Sequence, residues 1–203
     1  MTGSPHHQTV TMPDDLYASP PPWDIGRPQP AFLALAEAGA ITGRVLDVGC
    51  GTGEHVLLCA GLGLDATGVD LAATALRAAE GKARERGHTA RFLRQDARDL
   101  AELGESFDTV LDCGLFHIFD DTGGARARYA DGIRSVLQPG GRYFVLCISE
   151  DEPRDWGPHR IARPDITGTF TQGWRIDSIE PSTIDITPDP GAVRAWLVAL
   201  TRI

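Results

Sequence analysis

A buried strand that runs into a glycine-rich turn is the feature that most restricts the fold of this sequence. The residues Val45-Leu46-Asp47-Val48 are followed by Gly49-Cys50-Gly51-Thr52-Gly53 and then by Glu54, where a helix is expected to begin. Glycine allows the backbone to turn sharply and to approach a ligand closely at a helix N-terminus, where N–H groups are unpaired. The segment therefore predicts a βα unit with a nucleotide-cofactor loop.

The spacing of the glycines and the acid before them narrow the choice of ligand. A dinucleotide fingerprint spaces its last two glycines three residues apart, whereas Gly49, Gly51 and Gly53 are spaced two apart. Asp47 precedes the first glycine by two residues, and its carboxylate would repel a pyrophosphate but suits a ligand with an ammonium group. S-adenosylmethionine is such a ligand, because it carries a methionine tail and a sulfonium but no phosphate.

The segment from Asp47 to Gly53 resembles the first motif of class I S-adenosylmethionine-dependent methyltransferases, and four later segments resemble further motifs of that family in the same order. The resemblance covers about a hundred residues and implies S-adenosylmethionine as the cofactor. The residues expected to bind it are Asp47, Gly49, Cys50, Gly51, Gly53, Asp70, Leu71, Asp96, Ala97 and Asp112.

Two of these acids have expected roles. Asp70 ends the apolar run Ala66-Thr67-Gly68-Val69, where a dinucleotide-type fold places an acid against the ribose hydroxyls. Asp96 follows the next strand, and the family resemblance implies that Asp96 and the backbone N–H of Ala97 contact the adenine. Each acid has an alternative role as a cap, of the helix that starts near Ala72 or of a turn near Asp99.

A second signature precedes the glycine turn. The segment Pro22-Trp23-Asp24-Ile25-Gly26-Arg27-Pro28-Gln29-Pro30 resembles a segment of halide and thiol methyltransferases, and a related one in thiopurine methyltransferases and bacterial methylators of heterocyclic toxins. In those enzymes it folds over the cofactor. Trp23 is then expected to form a wall beside the sulfonium, where an aromatic face attracts a cation and excludes water; the alternative is that it packs this segment onto the domain. Arg27 either pairs with an acid or lies free at the surface.

The residues expected at the reaction centre follow the fourth strand, in the loop from Asp112 to Asp120. The resemblance to the heterocyclic-toxin enzymes implies that Phe116 stacks on a flat acceptor and that His117 takes or orients its proton. A histidine has a suitable pKa for a base near neutral pH, although packing or helix capping is the alternative role. A thiol needs no base, because desolvation and alignment can supply most of its reactivity.

Residues 150–164 have no hydrophobic period and are expected to form a loop or lid over the active site. In this segment Trp156, His159 and Arg160 are candidate acceptor contacts, with a solvated loop as the alternative. Cys113 and Cys147 are expected to be buried structural residues, since direct methyl transfer needs no covalent intermediate.

Strand and helix patterns alternate, which predicts an α/β fold: a doubly wound, Rossmann-like, seven-stranded, mostly parallel sheet with an antiparallel final strand. Residues 1–203 are expected to form a single domain, with 1–22 as a flexible lead and 23–40 as an arm and helix over the cofactor. The predicted helices are Pro30–Ala38, Glu54–Gly61, Ala72–Arg86 and Ala125–Val136. The predicted third to fifth strands are Ala90–Arg94, Phe107–Asp112 and Arg142–Leu146, and the closing pair is Trp174–Pro181 and Ala195–Arg202.

Composition excludes several classes of partner. The net charge of −9 argues against nucleic acid, whose binding relies on clustered Lys and Arg. The four cysteines lack a Cys-x-x-Cys spacing, so neither a zinc site nor a disulfide framework is expected. The chain shows no signal-peptide pattern and no apolar run of about eighteen residues, so we expect a cytoplasmic monomer or homodimer without membrane contact.

These patterns together predict methyl transfer from S-adenosylmethionine to a small molecule. The first hypothesis is S-methylation of a thiol in detoxification or self-resistance. The alternative is O- or N-methylation of an aromatic heterocycle or of a natural-product intermediate. A cofactor-binding module without turnover would require a blocked acceptor pocket.

Overall fold

The computed structural model describes residues 13–120, 122–154, 157–187 and 191–203, which form one seven-stranded sheet and the helices that cover it. The α-helices are α1 (Pro30–Glu37), α2 (Glu54–Gly61), α3 (Ala73–Arg86), α4 (Ala125–Val136) and α5 (Arg163–Thr169). The strands are β1 (Arg44–Val48), β2 (Asp65–Asp70), β3 (Arg91–Arg94), β4 (Phe107–Cys113), β5 (Leu137–Ile148), β6 (Trp174–Asp185) and β7 (Ala192–Arg202).

The strand order is β3-β2-β1-β4-β5-β7-β6. Strands β1 to β5 run parallel to one another, whereas β7 runs antiparallel to both β5 and β6. The predicted fold class is confirmed, including the antiparallel final strand. The order reverses between β1 and β4, and in such sheets ligands bind outside the carboxyl ends of the strands at this switch point.

Helices cover both faces of the sheet. Tyr129 and Ile133 of α4 pack in one core cluster, and Phe32 of α1 and Val56 of α2 pack in the other. The central strands are buried on both sides, so β1 and β4 show near-continuous burial rather than alternation. This two-sided burial holds the carboxyl ends of β1 and β4 rigidly, and the candidate site lies there.

The predicted helices agree with the observed ones to within one residue at each end, whereas the last strands are longer than predicted. β6 continues through Pro181 to Asp185, and Pro181 pairs in register with Trp196 of β7. A proline interrupts a central strand but is tolerated in an edge strand, where its missing N–H faces no partner. Because β6 is the edge of the sheet, the sequence signal at Pro181 does not end the strand.

Candidate functional site

A cavity of about 560 Å³ opens at the carboxyl ends of β1, β2 and β4, which is a typical size for a small-molecule site. Its walls come from the N-terminal segment, the glycine turn, the loops after β2, β3 and β4, and the β6–β7 end of the sheet. Nine of the residues predicted to bind the cofactor or the acceptor line it: Trp23, Gly49, Cys50, Gly51, Asp70, Leu71, Asp96, Ala97 and His117.

The glycine turn is shaped by three left-handed residues, with φ of +71° at Gly49, +52° at Gly51 and +85° at Gly53. Its N–H groups are used internally: those of Gly49 and Cys50 donate to the Val69 carbonyl, and that of Gly53 donates to the Cys50 carbonyl. The turn therefore offers few free donors of the kind that hold a phosphate. This agrees with a cofactor that carries no phosphate.

Gly53 does not line the cavity, which differs from its expected role as a cofactor contact. A Cβ atom there would lie 2.8 Å from Cβ of Ala79 and 2.9 Å from the ring of Phe92. The glycine is required because α2 begins close against α3 and β3. Its role is to let these elements pack.

Asp70 lies in the cavity wall at the end of β2. Its Oδ2 accepts from the N–H of Gly51 and its Oδ1 from the N–H of Ala72, both at 2.8 Å. Burial raises the pKa of this carboxyl group, and these backbone hydrogen bonds oppose that rise. The bond to Ala72 joins Asp70 to the residue just before α3 and not to the first-turn N–H groups that a helix cap binds. A carboxylate has about four acceptor positions, so Asp70 retains capacity for hydroxyl donors.

Asp47 lies at the end of β1 and is 1% exposed. It does not itself line the cavity, but His55 does, and His55 Nδ1 lies 3.7 Å from Asp47 Oδ2. Among the described residues, Asp47 Oδ2 has no hydrogen-bond partner. A buried carboxylate oxygen without a donor is unfavourable, so this end of the site suits a ligand with an ammonium group.

The loop after β3 forms another part of the cavity wall. Asp96 and Ala97 both line the cavity. Asp96 Oδ1 accepts from the N–H of Arg98 at 2.9 Å, and Oδ2 accepts from its guanidinium at 2.5 Å, so Arg98 holds the pKa of Asp96 below its usual range. The carboxylate is therefore ionised, and its position is fixed by the neighbouring residue.

Two aromatic residues cover the glycine turn. Trp23 lines the cavity, and its Nε1–H donates to the Tyr17 hydroxyl at 3.5 Å. Tyr17 belongs to a 3₁₀ turn, Pro13–Tyr17, and a Cβ atom on Gly51 would lie 2.8 Å from its hydroxyl. Asp14 accepts from the N–H of Thr74 at 2.7 Å, so part of the segment expected to be a flexible lead contacts α3. Residues 1–12 lie outside the described part of the chain.

The segment of residues 20–29, hereafter the arm, is held on both of its sides. Toward the glycine turn, the Thr52 hydroxyl donates to Asp24 at 2.9 Å, and the Lys82 ammonium donates to Thr52 at 2.7 Å. Toward β6, Arg27 pairs with Asp185 at 2.6 Å. This resolves the alternatives for Arg27 in favour of a pairing that holds the arm closed.

Gln29 adds the buried part of the same connection. Its Nε2 donates to the Asp185 carbonyl at 3.0 Å, and its Oε1 accepts from the Asp185 N–H at 2.8 Å. Gln29 is 2% exposed. The arm therefore closes the cavity by bridging the glycine turn to the end of β6.

His117 lines the cavity but is constrained at one nitrogen. The N–H of Ile148 donates to Nδ1 at 3.0 Å, which assigns the proton of the neutral ring to Nε2. Burial, together with the smaller effects of the Arg160 and His159 charges, lowers the pKa of His117 to about 4. The ring is neutral at physiological pH, and one of its two nitrogens is already occupied.

Phe116 is not placed to stack on an acceptor, contrary to the expectation. It is fully buried, does not line the cavity, and packs against Tyr129 and Phe170 with ring centroids 6.4 Å and 5.4 Å away. A 3₁₀ turn has three residues per turn, so successive side chains of Phe116–Ile118 point in different directions: Phe116 enters the core, whereas His117 and Ile118 line the cavity. Burial of the aromatic side chain of Phe116 stabilises the fold by about 1.5–3 kcal/mol.

Asp112 is likewise a structural residue rather than a cofactor contact. It is fully buried and outside the cavity lining, and it accepts from the hydroxyls of Tyr129 and Tyr143 at 2.8 Å each and from the N–H of Leu115 at 2.8 Å. Burial raises its pKa to about 6, although these hydrogen bonds oppose the rise. Asp112 thus fixes the start of the loop that carries His117.

The segment expected to be a lid lies mainly against the ends of β5 and β7. Glu152 accepts from the N–H of Arg194 in β7 at 2.7 Å, and the N–H of His159 donates to the His117 carbonyl at 3.2 Å. Of the described residues in 150–164, Pro158 lines the cavity, whereas His159 and Arg160 do not. Arg160 instead donates to the Pro158 carbonyl at 2.8 Å. Trp156 lies outside the described residues.

Several residues that line the cavity were not predicted individually as site residues. They are Tyr17, Gln29, His55 and Arg98, together with apolar residues near the ends of β4, β5, β6 and β7, namely Ile118, Phe119, Ile148, Ile184, Ile186 and Val193. His55 had the clearest signal, because it follows the glycine turn by two residues. Tyr17 had none.

Within residues 13–120, 122–154, 157–187 and 191–203, no group of three or more His, Cys, Asp or Glu side chains is placed to hold a metal ion. Cys113 lines the cavity, and burial raises its pKa, so its thiol is protonated. None of the helices in the described part of the chain combines the length and apolarity needed to cross a membrane.

The chain resembles known proteins over most of its length. Residues 45–141 match a family model described as a methyltransferase domain. The 2-heptyl-1-hydroxyquinolin-4(1H)-one methyltransferase of Mycobacteroides abscessus is 36% identical over 189 residues, which cover 90% of this chain and 82% of the relative. A probable thiol methyltransferase of Arabidopsis thaliana is 31% identical over 144 residues, which cover 70% of this chain and 62% of that protein.

A solved structure gives a similar result. It comes from a study of the conversion of a disulfide bond into a thioacetal group during echinomycin biosynthesis. Its superposition has a TM-score of 0.83 at 40% identity and covers 93% of this chain and 91% of the other. The likeness therefore includes the arm and the last strands as well as the glycine turn.

Proposed function

This chain belongs to the class I S-adenosylmethionine-dependent methyltransferases that act on small molecules, and on that premise we propose that its methyl acceptor is the sulfur of a thiol. The setting proposed is detoxification or self-resistance in the cytoplasm. The observation that carries the proposal is the hydrogen bond from the N–H of Ile148 to His117 Nδ1, because it leaves the cavity's best-placed histidine unsuited to act as a base.

His117 would have to accept a proton at Nε2 in order to deprotonate an acceptor. In the observed arrangement Nε2 already carries the proton of the neutral ring, and the pKa of about 4 makes this histidine a weak base. An acceptor that is ionised near neutral pH needs no such base. A thiol meets this condition more readily than an alcohol or an amide.

Separate residues are proposed to hold three parts of the cofactor: the ribose, the adenine and the ammonium group. Asp70 would accept from the ribose hydroxyls, Asp96 and the N–H of Ala97 would contact the adenine, and Asp47 would face the ammonium group. The left-handed turn at Gly49 and Gly51 lets the backbone approach the ligand. When bound, the cofactor supplies an electrophilic methyl group on a sulfonium.

The chain's own contribution to the reaction is alignment and exclusion of water. The thiol proton would pass to solvent, and the thiolate would accept the methyl group that a bound cofactor supplies, with S-adenosylhomocysteine as the other product. The arm and Trp23 hold the reacting atoms together, and such positioning can supply about 7–11 kcal/mol of the barrier.

The mouth of the cavity favours an acceptor with an apolar body. Three large apolar residues that line the cavity remain substantially exposed: Leu16 at 46%, Trp23 at 47% and Ile118 at 52%. Exposed apolar side chains around a pocket mark a binding surface more often than isolated ones do. An acceptor that carries only a small polar thiol would leave them uncovered.

The second candidate is O- or N-methylation of an aromatic heterocycle or natural-product intermediate. The observation that favours it is the 36% identity, over 90% of this chain, to a protein named as a hydroxyquinolone methyltransferase. The same apolar mouth would accommodate a flat ring. In this reaction His117 would donate from Nε2–H to an anionic oxygen and hold it in place.

The experiment measures formation of S-adenosylhomocysteine by the purified protein with hydrosulfide, small and apolar thiols, dithiols, thiopurines and hydroxyquinolones, with mass spectrometry of each product. Turnover of thiols, and better turnover of the apolar ones, supports the proposal. Turnover of oxygen or nitrogen acceptors alone overturns it in favour of the second candidate.

Two matched variants test the role of His117. His117→Asn keeps an acceptor for the N–H of Ile148 but removes the Nε2–H donor, whereas His117→Gln keeps a donor near Nε2 but not the Ile148 contact. With thiols, we expect His117→Asn to retain kcat within a few fold. A loss of about 10²-fold or more in both variants would identify His117 as a general base.

A further inference from the structure

We propose that His55 is a positioning residue that orients Asp47 toward the ammonium group of the cofactor and links this contact to the arm. The inference rests on the identity of the cofactor and not on the proposed acceptor. It starts from two unexplained features of the site: a buried carboxylate oxygen without a partner, and a histidine in the cavity wall that no motif accounts for.

The hydrogen bond to the arm determines which nitrogen of His55 carries the proton. The N–H of Gln29 donates to His55 Nε2 at 3.2 Å. A neutral imidazole that accepts at Nε2 carries its proton at Nδ1. His55 Nδ1 is the nitrogen that faces Asp47 Oδ2, at 3.7 Å.

The ring is also fixed by packing. Its centroid lies 4.6 Å from that of Phe32 in α1, and the two planes are inclined at 56°. The side chain of His55 is 12% exposed and that of Asp47 is 1% exposed. His55 is therefore held in one orientation, with its donor toward the carboxylate and its edge in the cavity wall.

The distance of 3.7 Å is too long for a hydrogen bond, so the donor approaches the carboxylate without satisfying it. Asp47 lies behind the cavity wall that His55 lines, so an ammonium group bound at this wall would supply the missing donor and charge. The carboxylate would then accept from the ammonium group and lie against the imidazole N–H. His55 thus holds Asp47 in the orientation in which that contact can form.

The same histidine joins the cofactor tail to the arm. Gln29 donates its backbone N–H to His55 and uses its side chain to hold Asp185 at the end of β6. A chain of contacts therefore runs from Asp47 through His55 and Gln29 to Asp185. Because binding linkage is reciprocal, a ligand that orders Asp47 and His55 also stabilises the closed arm.

The test compares two ligands that differ in the methionine tail. S-adenosylhomocysteine carries the ammonium group, and 5′-methylthioadenosine lacks it. His55→Phe keeps the ring volume and the packing on Phe32 but has neither donor nor acceptor. We expect it to weaken S-adenosylhomocysteine binding about tenfold in calorimetry, the value of one hydrogen bond to a charged group, and to leave 5′-methylthioadenosine binding within twofold.

Rescue and control variants separate positioning from folding. His55→Gln has an acceptor for the N–H of Gln29 and a donor for Asp47, so we expect it to restore S-adenosylhomocysteine binding to within threefold of the parent. His88→Ala, outside the cavity, is the matched control and should change neither affinity. In His55→Phe, amide hydrogen exchange in residues 23–29 should also increase when S-adenosylhomocysteine is bound.

Two results would overturn the proposal. Equal weakening of both ligands in His55→Phe would mean that the histidine supports only the structure, and unchanged affinity for S-adenosylhomocysteine would mean that it has no role toward the tail. Neither measurement uses a methyl acceptor. A wrong assignment of the acceptor therefore leaves the outcome of this test unchanged.

Discussion

Asp70 is the residue on which the placement of the cofactor depends most directly. Its carboxylate is held by the N–H groups of Gly51 and Ala72 at the cavity wall, with capacity left for hydroxyl donors. Replacing it with alanine would remove the proposed ribose contacts and leave one N–H of the glycine turn without its acceptor. We expect Asp70→Ala to weaken S-adenosylhomocysteine binding by about 1–3 kcal/mol in calorimetry.

The matched control lies at the other end of the same strand. Asp65 begins β2, is exposed, and pairs with Arg44 at 3.0 Å. Asp65→Ala removes a carboxylate from the same element without touching the cavity, so its binding should equal that of the parent protein. If the two variants bind equally, the ribose site has been misplaced.

His117 makes a prediction about stability and pH. Its pKa is about 4 in the folded protein against 6.5 in the unfolded chain. Between these values the unfolded state binds the extra proton, so this residue's contribution to stability is present above pH 6.5 and is lost as the pH falls toward 4. From pH 6.5 to pH 5 the loss is on the order of 2 kcal/mol.

Urea unfolding of the parent and of His117→Asn at several pH values measures this contribution as a difference. The comparison is necessary because Asp112 acts in the opposite direction: its folded pKa of about 6 lies above 3.8, so its contribution improves as the pH falls through the same range. We expect the parent to lose more stability than the variant between pH 6.5 and pH 5. Parallel pH profiles would contradict the neutral, buried state assigned to His117.

Where a strand ends could be predicted from the sequence better than whether a side chain at that end points into the cavity or into the core. Asp70 and Asp112 both follow buried strands, and both were expected to contact the cofactor, but one lines the cavity and the other is buried. The partners of Asp112 are Tyr129 and Tyr143, which lie 17 and 31 residues away in the chain. A local pattern cannot show that two distant hydroxyls will meet in the core and capture a carboxylate.

At the scale of elements, the arm is attached to β6 by one exposed and one buried connection. The Arg27–Asp185 pair has side-chain exposures of 56% and 22%, and such pairs contribute about 0–1 kcal/mol. Gln29→Ala instead leaves the backbone groups of Asp185 without their partners, which costs about 1–3 kcal/mol. We therefore expect Gln29→Ala to lower the free energy of unfolding more than Arg27→Ala does, as measured in urea.

A matched ion pair at the other end of β6 isolates the effect of the arm on the ligand. Arg175 and Asp177 lie 2.7 Å apart, with exposures of 63% and 22%. Arg27→Ala and Arg175→Ala should have similarly small effects on stability. Only Arg27→Ala should speed the release of S-adenosylhomocysteine in stopped-flow measurements, and equal release rates would show that the arm does not retain the ligand.

Element boundaries could be predicted where the signal is local. The helices from Glu54 and Ala125 begin where the sequence places them, because glycine precedes each start and apolar periodicity follows. The 3₁₀ turn Pro13–Tyr17 and its place over the cavity could not be predicted, since its fixed points are Thr74 and the distant glycine turn. The same limit applies to Arg27, whose partner lies 158 residues away.

At the scale of the whole molecule, the alternation of strand and helix patterns predicted the mostly parallel sheet, and the structure shows the cavity where the strand order reverses. The carboxyl ends of β1 and β4 diverge where the strand order reverses, which leaves a crevice between their loops. The acceptor side of that crevice is built from the opposite end of the sheet, including Ile184 and Val193. These residues carry no motif, because pocket shape depends on how the β6–β7 pair meets the arm.

This construction predicts how the whole chain responds to ligand. The cavity takes residues from the arm, from the first half of the sheet and from β7, so bound S-adenosylhomocysteine stabilises all of them together. At a hundred times Kd the stabilisation is about 2.7 kcal/mol, which for a protein of this length raises Tm by about 5–10 °C. Calorimetry should show one transition that moves as a unit, as expected for a single domain. Two transitions, of which only the one containing the glycine turn moves, would mean that the arm and the β6–β7 end do not close the cofactor site.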